Sequence, residues 1–151
     1  ENEIIHFSLH DVSKVQTYGK DLYIDTGSPH YLKIVEDVDS VDVIENGRAI
    51  RYSEPFSPSG TNVNFIELDQ DKIHVRTYER GVENETLSCG TGVTASALAA
   101  NLSGMKGPIT VETLGGTLFV TFDRENDNDF KNIYLAGPAK KVFEGDFEQS
   151  V

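Results

Sequence analysis

The segment YERGVENETLSCGTGVTASALAA, residues Tyr78 to Ala100, is the most informative about the architecture because it joins a strand to an alanine-rich helix. Glycines mark the turn around Cys89, small residues follow it, and Gly104 is a natural C-terminal stop for the helix. Side chains this small would let a surrounding sheet approach closely. The stretch therefore predicts a central helix packed by strands.

The rest of the sequence predicts mainly β-strands, because short runs rich in Ile, Val, Phe and Tyr alternate with turn residues. ELDQDKIHV is typical of a hairpin with its tip at Asp69 to Lys72. The predicted strands are Glu3 to Leu9, Leu22 to Thr26, Tyr31 to Val35, Val63 to Leu68, Ile73 to Glu79, Ile109 to Thr113, Thr117 to Phe122, Asn132 to Leu135 and Lys141 to Phe143.

A second helix is predicted from about Ser40, with Asp39 as a possible N-cap and either a stop near Asn46-Gly47 or a restart just after it. Val41, Ile44 and Ala49 would form its apolar face. No repeat or linker divides the 151 residues. We expect one α+β domain over residues 1–151, with mostly antiparallel strands wrapped around a central helix.

Composition excludes several functional classes. The formal net charge of -12 argues against nucleic-acid and anionic-membrane partners, since phosphate contacts need clustered Lys and Arg. One cysteine excludes an internal disulfide, fits a reducing cytoplasm, and leaves no Cys pair for structural zinc. Neither a membrane span nor a signal peptide is predicted. The chain opens without Met on a strand-like run, which predicts that it begins inside a longer protein.

Cys89 has two interpretations. At a helix start, unpaired N–H groups and a partial positive charge favour the reactive thiolate. The amides of Gly90, Thr91 and Gly92 could bind a carboxylate there. A buried structural thiol is the alternative, and the residues alone leave both open. The turn lacks the lysine of a P-loop, so nucleotide binding is not predicted.

Other polar residues also have two interpretations. Glu79 and Arg80 would ordinarily be a surface pair, yet the guanidinium could clamp a carboxylate and the glutamate could bind an ammonium group. His30, in DTGSPHYL, would ordinarily be structural. Asn62 and Asn64, in GTNVNF, would ordinarily be polar residues at a strand edge.

YERGVENETLSCGTG resembles a catalytic motif of the diaminopimelate epimerases, cofactor-independent enzymes that interconvert LL- and meso-diaminopimelate. TGSPHYL resembles the family's Gly-Asn-Pro-His segment, GTNVNF its second asparagine segment, and YLAGPAKKVFEGDF its C-terminal end. Order and spacing agree from about Leu22 to Phe147. The resemblance covers essentially the whole chain but only the C-terminal half of the family's two-domain enzyme.

The resemblance implies proton transfer by two cysteines, of which Cys89 matches one, with the amides of Gly90 and Thr91 beside it as a carboxylate cradle. It implies no pyridoxal phosphate and no metal. Ser28 stands where the family usually has a substrate-binding asparagine. The other matched positions are Asn62, Glu79 and Arg80 for substrate binding and His30 as an auxiliary residue.

The same resemblance implies a role in lysine and peptidoglycan-precursor synthesis, in a cytoplasmic homodimer. Because the N-terminal domain with the first cysteine is missing, we expect the isolated chain to be inactive. The segment Lys141 to Phe147 matches one that crosses to that domain, and without it this edge could dimerise. Two alternatives stay open: another two-cysteine racemase or epimerase, such as a proline-racemase-like enzyme, or a non-catalytic domain that binds a small molecule.

Overall fold

The structure, a computed structural model, describes residues 3–148, which contain one mixed ten-stranded sheet and two α-helices. The strands are rich in β-branched and aromatic residues, which favour the pleated backbone. In chain order the elements are β1 (Glu3–Ser8), β2 (Val15–Tyr18), β3 (Asp21–Asp25), β4 (Pro29–Val35), α1 (Val43–Arg51), β5 (Asn62–Leu68), β6 (Lys72–Glu79), β7 (Asn84–Thr86), α2 (Gly90–Leu102), β8 (Ile109–Thr113), β9 (Gly116–Arg124) and β10 (Phe130–Ala139).

The order of the strands forces the sheet to curl. It runs β1-β10-β9-β8-β6-β5-β4-β3-β2, with β7 paired beside β6, so β1 and β2 lie at opposite edges. Only residues 9–14 join these two strands. A connection of that length reaches roughly 20–25 Å, whereas the strands laid flat at about 4.8 Å spacing would extend nearly 40 Å. The sheet therefore bends into a half-barrel. The β4–β5 and β6–β8 pairs are parallel and the other pairs are antiparallel.

Helix α2 lies inside this half-barrel and is buried continuously from Gly92 to Ala100. It contacts β3, β4, β5, β6, β8, β9 and β10. A helix enclosed on every face needs small apolar residues all round rather than one apolar stripe. Ala95, Ala97 and Ala99 are fully buried and pack into one core with larger residues of the sheet such as Phe130. The predicted α+β fold with a central helix is confirmed.

The predicted N-cap and end of α1 are wrong. Asp42, rather than Asp39, caps the helix, with its carboxylate accepting a hydrogen bond from the Glu45 amide at 2.9 Å. The backbone at Asp39 instead belongs to a preceding turn, where its amide donates to the Asp37 carboxylate. The helix then continues past Gly47 to Arg51.

The apolar face predicted for α1 is wrong at Ile44 and Ala49, whereas Val41 packs against the core cluster that contains Val43 and Tyr78. Ile44 and Ala49 are exposed, while Val43 and Gly47 are buried. Gly47 lies flat against Tyr78, since a Cβ at position 47 would come within 2.4 Å of the Tyr78 Cβ. The glycine therefore permits close packing of α1 on β6 instead of ending the helix.

Two strands were not predicted, and one predicted strand is wrong. β2 and β7 are short and polar, so the sequence gives little sign of them. Residues 140–148 form no strand, and all of them are exposed, so no packing within the described residues holds this segment in the sheet. In this segment Val142, Phe143 and Phe147 are 80%, 84% and 87% exposed.

Within residues 3–148, no helix has both the length and the apolar character needed to cross a membrane.

Candidate active site

The predicted site residues converge where α2 begins. The strands β4 and β5 start at this end of the half-barrel, with His30 paired to Asn62, and β6 ends there at Glu79. The connection from β6 and β7 then delivers Cys89 to the helix N-terminus. Four separate segments of the chain thus form one constellation of side chains.

Cys89 is the N-cap residue of α2. Its backbone is extended, at φ -125 and ψ 108, and its side chain makes no capping hydrogen bond. The thiol is half-buried, and its Sγ lies 3.5 Å from the Thr91 Oγ1. The first N–H groups of a helix have no partner within the helix, so the sulfur lies beside free donors and the positive end of the helix dipole.

His30 is fully buried beneath this thiol. Its Nδ1 donates to the Asn64 Oδ1 at 2.8 Å, and the Asn64 Nδ2 donates to the Thr77 Oγ1 at 2.7 Å. This chain places the ring proton on Nδ1 and leaves Nε2 as an acceptor. Burial lowers the pKa of His30 to about 4, so the imidazole is neutral at physiological pH.

Two hydroxyls share the His30 Nε2 acceptor. The Thr91 Oγ1 lies 2.9 Å and the Ser28 Oγ 3.1 Å from Nε2, and the two oxygens are 3.3 Å apart. A neutral imidazole offers one lone pair, so one hydroxyl donates to it at a time. When Ser28 donates, Thr91 can donate to the Cys89 sulfur. When Thr91 donates, its oxygen can accept from the thiol, so the network accommodates both protonation states of Cys89.

Asn62 joins this network to the substrate-binding candidates. Its Nδ2 donates to the Ser28 Oγ at 3.1 Å and to the Pro29 carbonyl at 2.9 Å, while its Oδ1 accepts from the Arg80 amide at 2.9 Å. The Arg80 Nη1 donates to the Gly60 carbonyl at 3.3 Å. Asn62 therefore links Ser28 to the turn that carries Arg80.

Glu79 lies farther out and accepts a hydrogen bond from the Thr86 hydroxyl at 2.9 Å. Among the residues that the structure describes, no salt bridge includes Arg80. Most of its guanidinium donors are thus left for an anionic ligand, which suits bidentate binding of a carboxylate.

Sequence reasoning gave Asn64 only a place at a strand edge and missed Thr77 and Thr26, although all three hold the site groups in place. Asn64 orients His30, and Thr77 in turn orients Asn64. The Thr26 hydroxyl donates to the Thr91 carbonyl at 2.8 Å and so fixes the first turn of α2 against the connection between β3 and β4. Asn64 lies two residues after Asn62 on the same face of β5, and that spacing is the one signal that could have connected it to the site.

Gly92 belongs to the site through its missing side chain. A Cβ at this position would come 2.5 Å from the Asn64 Nδ2 and 3.2 Å from the His30 Nδ1. We expect Gly92→Ala to lower the free energy of unfolding by roughly 1–2 kcal/mol, as overpacking outweighs the better helix propensity of alanine. Urea unfolding measures this loss.

Gly90→Ala is the matched control for this prediction, because a Cβ at position 90 meets only the flexible Leu135 Cδ2, at 3.1 Å. We expect Gly90→Ala to be about as stable as the parent chain. A Gly92→Ala chain as stable as its Gly90→Ala counterpart would contradict the close packing of α2 on the His30–Asn64 pair.

The described residues contain no group of three or more His, Cys, Asp or Glu side chains that could hold a metal ion. The groups that the site offers are a thiol, three hydroxyl or imidazole groups, free helix amides and one guanidinium. Such a set suits proton transfer next to a bound carboxylate.

Comparison with solved structures identifies the fold class. The chain is similar to a probable proline racemase from Agrobacterium radiobacter K84, with a TM-score of 0.56 and 14% sequence identity. The match covers 94% of this chain and 54% of that chain. The two proteins share the curled sheet around a central helix.

Sequence comparison identifies the family. The family model described as Diaminopimelate epimerase matches residues 22–142, and the chain belongs to this family. It is 42% identical to the diaminopimelate epimerase of Flavobacterium psychrophilum, over 95% of this chain and 57% of the relative. It is 50% identical to that of Aquifex aeolicus, over 86% of this chain and 47% of the relative. The chain thus spans about half the length of these curated relatives.

Proposed function

We propose that this chain is the C-terminal half of a diaminopimelate epimerase and that Cys89 is one of its two proton-transfer groups. The observation that carries this proposal is the position of Cys89 at the N-terminus of α2, in contact with the Thr91 hydroxyl and next to free helix amides. A thiol in this setting can act as a base in one direction and as an acid in the other.

The proposed reaction inverts one carbon centre by two proton transfers. One cysteine thiolate removes the α-proton, so that a C–H bond breaks, an S–H bond forms, and the electron pair stays on the substrate. A cysteine thiol on the opposite face then donates its proton to the same carbon. Cys89 supplies one of these groups, and the other belongs to the family's N-terminal half. The reaction requires no external electron sink if the adjacent carboxylate accepts the charge.

The amides of Gly90 and Thr91 support this chemistry, because they can bind the carboxylate as negative charge develops on it. The Thr91 hydroxyl complements both states of the thiol, since it can donate to the thiolate or accept from the thiol. His30 remains a neutral acceptor throughout, because burial disfavours the charged ring and the Nδ1 bond to Asn64 leaves Nε2 as the acceptor.

Arg80 and Glu79 favour diaminopimelate over a proline-like substrate. In this proposal Arg80 binds a substrate carboxylate and Glu79 an ammonium group, with Asn62 and Ser28 completing the binding surface. Diaminopimelate carries two such amino-acid ends, whereas proline carries one. A non-catalytic binding domain would use the same anion-binding groups, and proton exchange separates it from an enzyme.

The test is exchange of the substrate's α-proton with deuterated solvent. LL-diaminopimelate is incubated with this chain alone and with the reconstituted enzyme, meaning this chain combined with the N-terminal half of the same gene's product. We expect exchange only in the reconstituted enzyme and no exchange of proline. A reconstituted enzyme that binds diaminopimelate but never exchanges its proton would support the binding-domain alternative instead.

We further expect the complete enzyme to be a cytoplasmic homodimer that acts in lysine and peptidoglycan-precursor synthesis. The exposed side chains of Val142 and Phe143 support contact of the C-terminal segment with another domain. If the reconstituted enzyme sediments as a monomer at high concentration, the dimer is excluded.

A further inference from the structure

Among the described residues, Glu83 is the carboxylate that accepts hydrogen bonds from the most partners, and it lies outside the hydrogen-bond network of Cys89, Thr91, His30, Ser28 and Asn62. Its Oε1 accepts from the Gly81 amide at 3.0 Å and from the Arg51 guanidinium at 3.1 Å. Its Oε2 accepts from the Tyr52 and Tyr78 hydroxyls at 2.9 and 3.0 Å. These bonds, that to the Gly81 amide foremost, lower the pKa of Glu83 to about 2, so the carboxylate is charged at physiological pH.

The backbone at Glu83 is strained. Its φ of 58 lies in the left-handed region that normally favours glycine. The Glu83 amide also donates to the Glu79 carbonyl at 2.8 Å and closes the turn around Arg80. A non-glycine residue keeps such a conformation when surrounding contacts hold it there. At Glu83 the contacts of its own side chain hold the backbone in place.

Arg80 has few contacts of its own. Its amide donates to the Asn62 Oδ1, and one guanidinium nitrogen donates to the Gly60 carbonyl at the long distance of 3.3 Å. Its position therefore depends on the turn from Glu79 to Glu83. Glu83 is itself part of this turn, and the hydrogen bonds of its side chain hold the turn in place.

The residues that bond to the Glu83 carboxylate belong to strand β6 and to the end of helix α1. Tyr78 is fully buried on β6, and Arg51 and Tyr52 come from the C-terminal end of α1. The Arg51 guanidinium lies against Gly60, where a Cβ would overlap its Nη1 at 1.2 Å. Gly60 thus packs against Arg51 while its carbonyl accepts from Arg80.

We propose that Glu83, held by Arg51, Tyr52 and Tyr78, is a positioning residue that sets the location of Arg80 and hence the affinity for a substrate carboxylate. This inference rests on the proposed function, because it assigns Arg80 to substrate binding. Within residues 3–148 no hydrogen bond joins the Glu83 side chain to Cys89, Thr91 or His30, so its role is in binding rather than in proton transfer.

The test compares Glu83→Gly and Glu83→Gln with Glu85→Gln in the reconstituted enzyme. Glycine relieves the backbone strain while removing the side-chain bonds, so a defect in this variant is due to the lost contacts. Glu85 is the matched control: it pairs with Arg76 at 2.6 Å in the same connection, and no hydrogen bond joins its side chain to the 79–83 turn within residues 3–148.

We expect Glu83→Gly to raise the KM for diaminopimelate roughly tenfold with kcat within about threefold of the parent. Glu83→Gln, which keeps one acceptor oxygen, should have an intermediate KM. Glu85→Gln should leave KM unchanged. An unchanged KM in Glu83→Gly, a change confined to kcat, or an equal KM rise in Glu85→Gln would each overturn the inference.

A second measurement on this chain does not depend on catalysis. Without the Glu83 contacts, hydrogen exchange at the Arg80 and Gly81 amides should become roughly tenfold faster in Glu83→Gly but not in Glu85→Gln. Unchanged exchange would overturn the positioning role. If the parent enzyme shows no activity towards diaminopimelate while exchange accelerates as expected, the proposed function fails and the role of Glu83 in placing Arg80 stands.

Discussion

Cys89→Ser should reduce α-proton exchange by the reconstituted enzyme by a factor of about 10² to 10⁴, the range that one general acid–base group contributes. A serine hydroxyl occupies nearly the same space and can still contact Thr91, so folding should be preserved. Its far higher pKa, however, leaves almost none of the basic form at neutral pH. The effect is measured as a slower entry of solvent deuterium at the substrate's α-carbon.

Ser88→Ala is the control for this substitution. Ser88 is the exposed neighbour in the same turn, and none of the hydrogen bonds described above involves its side chain. We expect this variant to exchange the proton at close to the parent rate. If Cys89→Ser retained exchange within about threefold of the parent, Cys89 could not be a proton-transfer group.

Acidification should destabilise the chain through His30. The pKa of its imidazole is about 4 in the folded chain, against 6.5 when unperturbed, because the ring is buried. Between these two values the unfolded state binds more protons than the folded state. Stability from this group is therefore complete above pH 6.5 and is lost as pH falls towards 4. The expected loss is about 3 kcal/mol in the free energy of unfolding.

Urea unfolding between pH 6.5 and 4 measures this loss as the difference between the parent and His30→Gln. The difference removes the contributions of carboxylates that titrate lower, such as Glu83. If the variant fails to fold, NMR titration of the His30 ring in the parent provides the same test. A ring that titrates near its unperturbed pKa would contradict the buried neutral imidazole.

The central helix could be predicted from sequence because its composition leaves few alternatives. Thirteen residues without a charge, most of them small, can only be enclosed on all sides. By contrast, α1 is largely exposed, so its sequence pattern is compatible with more than one N-cap residue and more than one buried face. Asp42 rather than Asp39 became the cap because Val43 and Gly47 are the residues that pack against the sheet.

The clustering of the candidate residues could be predicted where the sequence motif names them, but not where tertiary contacts alone bring residues together. Ser28, His30, Asn62 and Thr91 were identified as candidates, and the structure brings them together around Cys89. Glu83 could not be singled out from sequence, because its contacts come from α1 and Tyr78, which a local pattern cannot bring next to it. The final strand was mispredicted for a similar reason, since strand propensity does not show whether a segment packs against the rest of the fold.

The pairing of β1 with β10 has a consequence for the speed of folding. Glu3 pairs with Ala139 and Ser8 with Tyr134, so the first and last strands meet across almost the whole described sequence. Contacts between such distant segments form only after a large loss of loop entropy. We therefore expect slow folding in which the hairpins and α2 assemble early and β1 docks last, completing the sheet edge beside β10.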